Sequence, residues 1–235
     1  MEKKRNAMIE NTKNLSEMSD WIVHADSDQF HEIPGNNIDS FLRSVEDEGY
    51  NAVYGNYVDR VAQDGSLPLV SATPTIFSQF PLACDVTKKI VGIDVPQKVL
   101  AFRAFLRANR GGGKVKDESL ACVYPTLLKS HHFKWVKQVK EKLERRVETA
   151  DILLATQLAE GVLGPLWVVM SRYKRKGYGW WRQSANVLEH LKQHNSRLCV
   201  NCSELSCIIA NTTEQVSPWG DAMRVDICPA GRHAR

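Results

Sequence analysis

The sequence has no long apolar run and little excess charge. The first absence argues against a membrane-spanning helix, and the second gives little support to a nucleic-acid-binding protein. No stretch of about 18 apolar residues occurs, and the nearest candidate, 152–170, contains Gln157, Glu160 and Pro165. We therefore expect no membrane-spanning helix. Residues 1–20 lack the apolar core of a signal peptide, so the expectation is a soluble chain of unknown compartment. Lys and Arg number 31 against 27 acidic residues, and the net charge of +4 is too small to indicate a nucleic-acid-binding protein by itself.

The composition fits a folded protein of one domain, with or without a tail. Of the 235 residues, 43% are hydrophobic and 25% are charged, which allows a packed core and argues against wholesale disorder. Runs that predict strands alternate with stretches that predict helices. The predicted strands are 21–25, 51–58, 88–93 and 98–106, and the predicted helices are 39–49, 133–150 and 184–194. This alternation is typical of an α/β fold.

The acidic pair Asp26 and Asp28 directly follows the apolar run Trp21–Ala25. Two carboxylates at the end of a buried strand suit a hard divalent cation, because Mg²⁺ commonly combines one or two protein carboxylates with substrate phosphates. A solvated acidic turn is the alternative explanation, and for a bare Asp-x-Asp it would prevail. The apolar strand before the pair and Phe30 after it favour the metal site.

Several segments together resemble one family of enzymes. They are 21–35, 48–55, 58–60, 96–100 and 130–135. The set resembles the metal-binding region of GT-A type glycosyltransferases and is most similar to the family-2-like and family-92-like group. The resemblance covers roughly residues 20–150. It implies a partial GT-A-like (Rossmann-like) mixed sheet with flanking helices and a C-terminal helical or irregular tail.

The resemblance implies transfer of a sugar from a nucleotide-sugar donor to a glycan, lipid or protein acceptor. Asp26 and Asp28 would hold Mn²⁺ or Mg²⁺ against the diphosphate leaving group. Many relatives have a histidine after a run of glycines where this chain has Lys114, and a downstream histidine is often a further metal ligand in such enzymes. His131 or His132 is the available substitute. Adjacent residues on a strand point to opposite faces, so at most one of them would face the metal.

An inverting enzyme of this kind also needs a carboxylate base to deprotonate the acceptor hydroxyl. The family usually has Glu after the second Asp, whereas this chain has Gln29, and an amide is no base. Glu32 and Asp59 are the candidate catalytic substitutes. Lys98 is a candidate contact for a donor phosphate, and an exposed lysine at a strand end is the alternative explanation.

The sequence and the resemblance together predict how the chain is organised. We expect an N-terminal helix or arm at 1–19, the GT-A-like metal-binding and acceptor region at 20–150, a helical extension at 151–198 and a Cys-rich, irregular tail at 199–235. A GT-A fold places its nucleotide-binding elements before the Asp-x-Asp, so the expectation is a chain that lacks this N-terminal half. Related full-length proteins are often Golgi or membrane-associated. Because the nucleotide-binding half is expected to be absent, a truncated, non-catalytic glycosyltransferase-like binding module is the alternative function.

The tail carries four cysteines, Cys199, Cys202, Cys207 and Cys228. Four thiolates can close a tetrahedral zinc site, but these intervals do not match a paired Cys-x2-Cys framework. Disulfides or unpaired thiols are at least as compatible with the spacing.

The segment 172–182 mixes cationic and aromatic residues. Nucleic-acid binding through this segment is a weaker alternative, because cations attract phosphates and bases stack on aromatic rings. A basic helix end packed by Trp180 and Trp181 explains the same residues more simply, and we expect no nucleic-acid partner.

Overall fold

The computed structural model describes residues 19–93, 96–108, 113–116, 118–159, 179–200 and 205–209. The predicted N-terminal arm, most of the segment 172–182, and Cys202 and Cys228 lie outside the described residues. Along the chain the structure forms β1 (Trp21–Val23), β2 (Gln29–His31), α1 (Ile38–Asp47), β3 (Ala52–Val61), α2 (Ile76–Gln79), β4 (Leu82–Cys84), α3 (Val86–Lys89), β5 (Gln97–Arg103), β6 (Leu128–His132), α4 (Lys137–Ala159), α5 (Gly179–Gln193) and β7 (Ile208–Ile209).

The described residues fall into two compact units. One contains residues 19–58 and 96–132, and the other contains residues 59–93, 133–159, 179–200 and 205–209. Strand β3 contributes its first seven residues, 52–58, to the first unit and its last three to the second.

The first unit is built on antiparallel strand pairs. Strand β5 pairs with β1 on one side and with β3 on the other, while β6 pairs with β2 and β3. A bridge between Ala52 and Val123 is parallel, so the sheet is mixed. The prediction of an α/β fold with a mixed sheet and helices is confirmed.

Helix α1 forms where local sequence signals predict it. The Asn37 side chain accepts a hydrogen bond from the Ser40 backbone N–H, which satisfies a donor that has no partner within the helix. Phe41, Leu42 and Val45 form its buried stripe. Gly49 has a φ of 85° just after the helix ends, a conformation that glycine adopts without steric penalty.

Gly55 lets strands β3 and β6 approach each other. It lies opposite Lys98 of β5. A Cβ atom at this position would lie 2.5 Å from Leu100 Cδ1 and 2.8 Å from the Leu128 carbonyl oxygen. These distances are shorter than normal contacts, so only glycine fits here without a shift of the neighbouring backbone.

The second unit packs helices against short strands. Helix α4 contacts α5, and the end of β3 pairs with β4, which pairs with β7. A disulfide joins Cys84 to Cys207, so Cys207 is a disulfide partner rather than a zinc-binding thiolate. The largest buried cluster of this unit includes Val61, Leu82, Val86, Trp135, Val139, Leu143, Val187, Leu191 and Leu198.

The predicted strand at 88–93 is wrong, because residues Val86–Lys89 form the short helix α3. The backbone N–H of Thr87, in the first turn of this helix, donates to Asp59 Oδ2 over 2.6 Å. An N–H in a first helical turn lacks an intrahelical partner, and this long-range carboxylate supplies one. Among the residues the structure describes, no helix is long and apolar enough to cross a membrane.

Candidate functional site

The antiparallel register of β1 and β5 determines where the acidic pair lies. Trp21 lies opposite Arg103 and Val23 opposite Ala101, and the His24 N–H donates to the Leu100 carbonyl oxygen over 2.8 Å. The chain after β1 therefore runs toward the beginning of β5. This direction brings Asp26 beside Lys98, although 72 positions separate the two residues.

Lys98 and Asp26 form a close ion pair. The distance between Lys98 Nζ and Asp26 Oδ2 is 2.6 Å, and the lysine side chain is 0% exposed while the aspartate side chain is 32% exposed. A buried ammonium needs a partner of opposite charge, and Asp26 provides it. Lys98, predicted as a phosphate contact, is thus engaged with a carboxylate of the chain itself.

The Gln29 side chain completes this polar cluster. Its Oε1 accepts a hydrogen bond from Lys98 Nζ over 2.8 Å. Its Nε2 donates to Asp26 Oδ2 over 3.2 Å and to Tyr57 Oη over 3.3 Å. The neutral amide of Gln29 therefore links the lysine, the aspartate and the tyrosine. Lys98, Asp26, Gln29 and Tyr57 are called the Lys98 cluster below.

Asp28 and His132 form a second polar pair. Strand β2 pairs with β6 in a register that places Gln29 opposite His132, so the residue before Gln29 reaches the imidazole. Asp28 Oδ2 lies 3.7 Å from His132 Nε2, and the Asp28 side chain is 40% exposed. The Tyr57 ring stacks on the His132 ring with a centroid distance of 4.9 Å, which holds the imidazole in place.

The spacing of Asp28 and His132 fits a shared divalent cation. Two ligands that bind one ion at about 2.1 Å lie roughly 3 to 4 Å apart, depending on the angle between them. His24 Nε2 and Asp26 Oδ1 are 4.0 Å apart, but the Lys98 ammonium on the same carboxylate opposes a cation there. The described residues include no group of three or more Cys, His, Asp or Glu side chains placed to hold a metal. A cation at this pair would have further coordination positions open to water or to the oxygen atoms of a ligand.

His131, which directly precedes His132, has a different partner. His131 Nε2 lies 2.6 Å from Glu32 Oε1, and Lys129 Nζ lies 3.3 Å from Glu32 Oε2. Burial raises the pKa of the Glu32 carboxyl, but His131 and Lys129 outweigh this effect and hold the pKa below its ordinary value. Glu32 is therefore ionised at neutral pH, and its side chain is half exposed.

Three residues of the site are not among the candidates that the sequence indicates: Tyr57, Ser130 and His31. His31 Nε2 lies 3.0 Å from the His24 carbonyl oxygen, and His31 Nδ1 lies 3.1 Å from Ser130 Oγ. A carbonyl only accepts, so Nε2 carries the proton and Nδ1 accepts from the serine. Burial lowers the pKa of His31, which keeps the ring neutral. Gln29 and His31 are two residues apart on β2, and this spacing is the one sequence signal that could have placed both side chains on the same face of the strand.

Asp59 lies in the second unit and is surrounded by neutral donors. It is 1% exposed. Its carboxylate accepts hydrogen bonds from the Thr87 N–H over 2.6 Å, the Thr87 hydroxyl over 3.0 Å and the Trp135 indole N–H over 2.8 Å. A buried carboxylate with three donors stabilises the fold around it, and this setting favours a structural role over proton transfer.

Comparisons with known proteins assign no family. No protein-family model matches the chain, and no curated protein matches its sequence. The geometry of Asp28, His132, Glu32 and the Lys98 cluster is therefore the basis on which a function is inferred.

Proposed function

We propose that the chain binds a nucleotide-sugar donor and acts as a metal-dependent glycosyltransferase. The observation that carries this proposal is the half-exposed Asp28 carboxylate 3.7 Å from His132 Nε2, next to a loop that follows an apolar strand. One carboxylate and one imidazole leave most positions around a cation for donor phosphates and water, as in sites that bind nucleotides through Mg²⁺ or Mn²⁺. The proposal also agrees with the sequence resemblance.

In this proposal each residue has a distinct task. Asp28 and His132 would hold the cation, which when bound would offset the negative charge of the diphosphate leaving group. Asp26 is the counter-ion of Lys98 and fixes the loop that carries Asp28. Glu32 is the candidate base: the acceptor hydroxyl oxygen bonds to the anomeric carbon, its proton passes to the carboxylate, and the bond from sugar to diphosphate breaks.

Isothermal titration calorimetry with UDP, GDP and CDP, each with and without Mn²⁺, tests the proposal on the full chain. We expect Mn²⁺ to raise the affinity for at least one nucleoside diphosphate about tenfold, because the cation bridges the protein and the phosphates. The variant Asp28→Asn should remove this gain. Asp39→Asn, on the exposed face of α1, is the matched control and should retain it.

A turnover assay with the nucleotide-sugar that matches the bound nucleoside diphosphate separates an enzyme from a non-catalytic module. A non-catalytic module would bind a nucleoside diphosphate with Mn²⁺ but would not hydrolyse or transfer the matching nucleotide-sugar. If the affinity for every nucleoside diphosphate is independent of Mn²⁺, or none binds, the proposal fails.

A further inference from the structure

The Lys98 cluster contains a fully buried cation, and its ion-pair partner within the cluster is Asp26. Lys98 Nζ donates to Asp26 Oδ2 and to Gln29 Oε1, and the second of these groups is a neutral amide. The remaining member of the cluster is the phenol hydroxyl of Tyr57, which accepts a hydrogen bond from Gln29 Nε2. One positive and one negative charge therefore cancel within this cluster.

We infer that Gln29 and Lys98 determine how strongly the site binds a divalent cation. This inference rests on the proposed function for its biological meaning, but not for its test. Since Lys98 neutralises Asp26, Asp28 is the carboxylate left to attract a cation at the Asp28–His132 pair. The chain then binds Mn²⁺ weakly until the phosphates of a donor add their own charge.

The position of the Gln29 amide makes this inference specific. A glutamate of the same shape would place one oxygen at the 2.8 Å contact with Lys98 Nζ and the other at the 3.2 Å contact with Asp26 Oδ2. Two carboxylates would then share one ammonium, and the cluster would carry a net charge of −1. Gln29 directly follows Asp28 in the chain, so a negative charge at this position would add to the attraction of a cation to Asp28.

Removing the positive charge of Lys98 gives the same prediction as adding a negative charge at Gln29. The substitution Lys98→Met preserves the apolar stem of this 0% exposed side chain but removes the ammonium. Asp26 would keep its hydrogen bond from Gln29 and would no longer be neutralised. Gain of Mn²⁺ affinity in both variants would separate a charge effect from a change specific to either side chain.

Mn²⁺ binding to the full chain without nucleotide, measured by calorimetry, tests the inference. We expect wild type to bind Mn²⁺ with a Kd weaker than about 100 µM, as a site with few charged ligands does. Gln29→Glu and Lys98→Met should each bind on the order of tenfold more tightly. Gln138→Glu, at an exposed position of α4, is the matched control. It adds the same charge as Gln29→Glu and should leave the affinity unchanged.

Each possible result has a clear meaning. An affinity within twofold of wild type in either variant, with thermal melts that show folded protein, would overturn the inference. A wild-type Kd below about 100 µM would overturn it without any variant, because such a site would need both carboxylates. If no nucleoside diphosphate binds but the two variants gain Mn²⁺ affinity, the proposed function fails and the inference stands.

Discussion

Two aspartates, one in each unit, show how the surroundings of a carboxylate decide what it does. Asp59 is 1% exposed and accepts hydrogen bonds from three neutral donors of the second unit. Asp26 is paired with the ammonium of Lys98 and keeps 32% of its side chain exposed. The first arrangement closes the carboxylate off from any ligand. The second places a charged pair at the margin of a site, where Asp28 extends toward solvent.

The comparison predicts that residues around Asp59 maintain the fold, whereas residues around Asp28 act on a ligand. Substitutions in the second unit should therefore reduce the free energy of unfolding. Substitutions at the exposed carboxylate of the first unit should change binding instead.

Asp59→Ala should have the largest effect on stability. It leaves the Thr87 N–H and the Trp135 indole N–H without their acceptor in a buried place, and we expect a loss of about 3–5 kcal/mol in the free energy of unfolding. Urea denaturation followed by circular dichroism measures the loss. Glu144→Ala, at an exposed position of α4, is the control and should change stability by less than about 0.5 kcal/mol. Equal effects in the two variants would contradict a structural role for Asp59.

Reduction of the Cys84–Cys207 disulfide should have the next largest effect. The bond closes a sequence separation of 123 residues, and its loss should lower the stability of wild type by about 2–4 kcal/mol. The measurement is urea denaturation with and without dithiothreitol. The double variant Cys84→Ala, Cys207→Ala should not respond to the reductant. A wild-type protein that is equally stable in both conditions would show that this bond does not contribute.

Gly55→Ala should have an intermediate effect in the first unit. The added methyl group meets Leu100 and the Leu128 carbonyl at the distances given above, so we expect a loss of about 1–3 kcal/mol. Gly113→Ala is the matched control, because a Cβ atom there has no neighbour within 4 Å. Thermal melts of the two variants should differ clearly. If they coincide with each other and with wild type, the close approach of β3 and β6 is not required.

Asp28→Asn should have the smallest effect on stability and the largest effect on ligand affinity. The side chain is 40% exposed, and loss of an exposed charge changes stability by less than about 1 kcal/mol. Its melting temperature should stay within a few degrees of wild type, while the Mn²⁺-dependent gain in nucleoside diphosphate affinity disappears. A large loss of stability here would remove the contrast with Asp59.

Helix α1 could be predicted from the sequence because the signals that determine it are local. The Asn37 cap, the buried stripe of Phe41, Leu42 and Val45, and Gly49 after the helix all act within a few residues, and the predicted helix at 39–49 agrees with α1 to within two residues at each end. The prediction of a strand at 88–93 is wrong because the Asp59 carboxylate that holds the first turn of α3 comes from a distant part of the chain.

The candidate site was less predictable for the same reason. Asp26 and Asp28 stand out after an apolar run, but the ion pair of Asp26 with Lys98 depends on the register of β1 and β5. Register also gives His131 and His132 their different partners, Glu32 and Asp28. Such non-local pairing cannot be derived from spacing along one chain, since a shift of one residue reverses every side chain on a strand.

Pulsed electron paramagnetic resonance of Mn²⁺ bound to the chain, with a nucleoside diphosphate present, tests the central claim most directly. If Asp28 and His132 hold the cation, the spectrum should show coupling to an imidazole nitrogen. That coupling should vanish in His132→Gln and persist in His131→Gln. A spectrum without nitrogen coupling in wild type, or one that keeps it in His132→Gln, would contradict the assignment of the metal site to this pair.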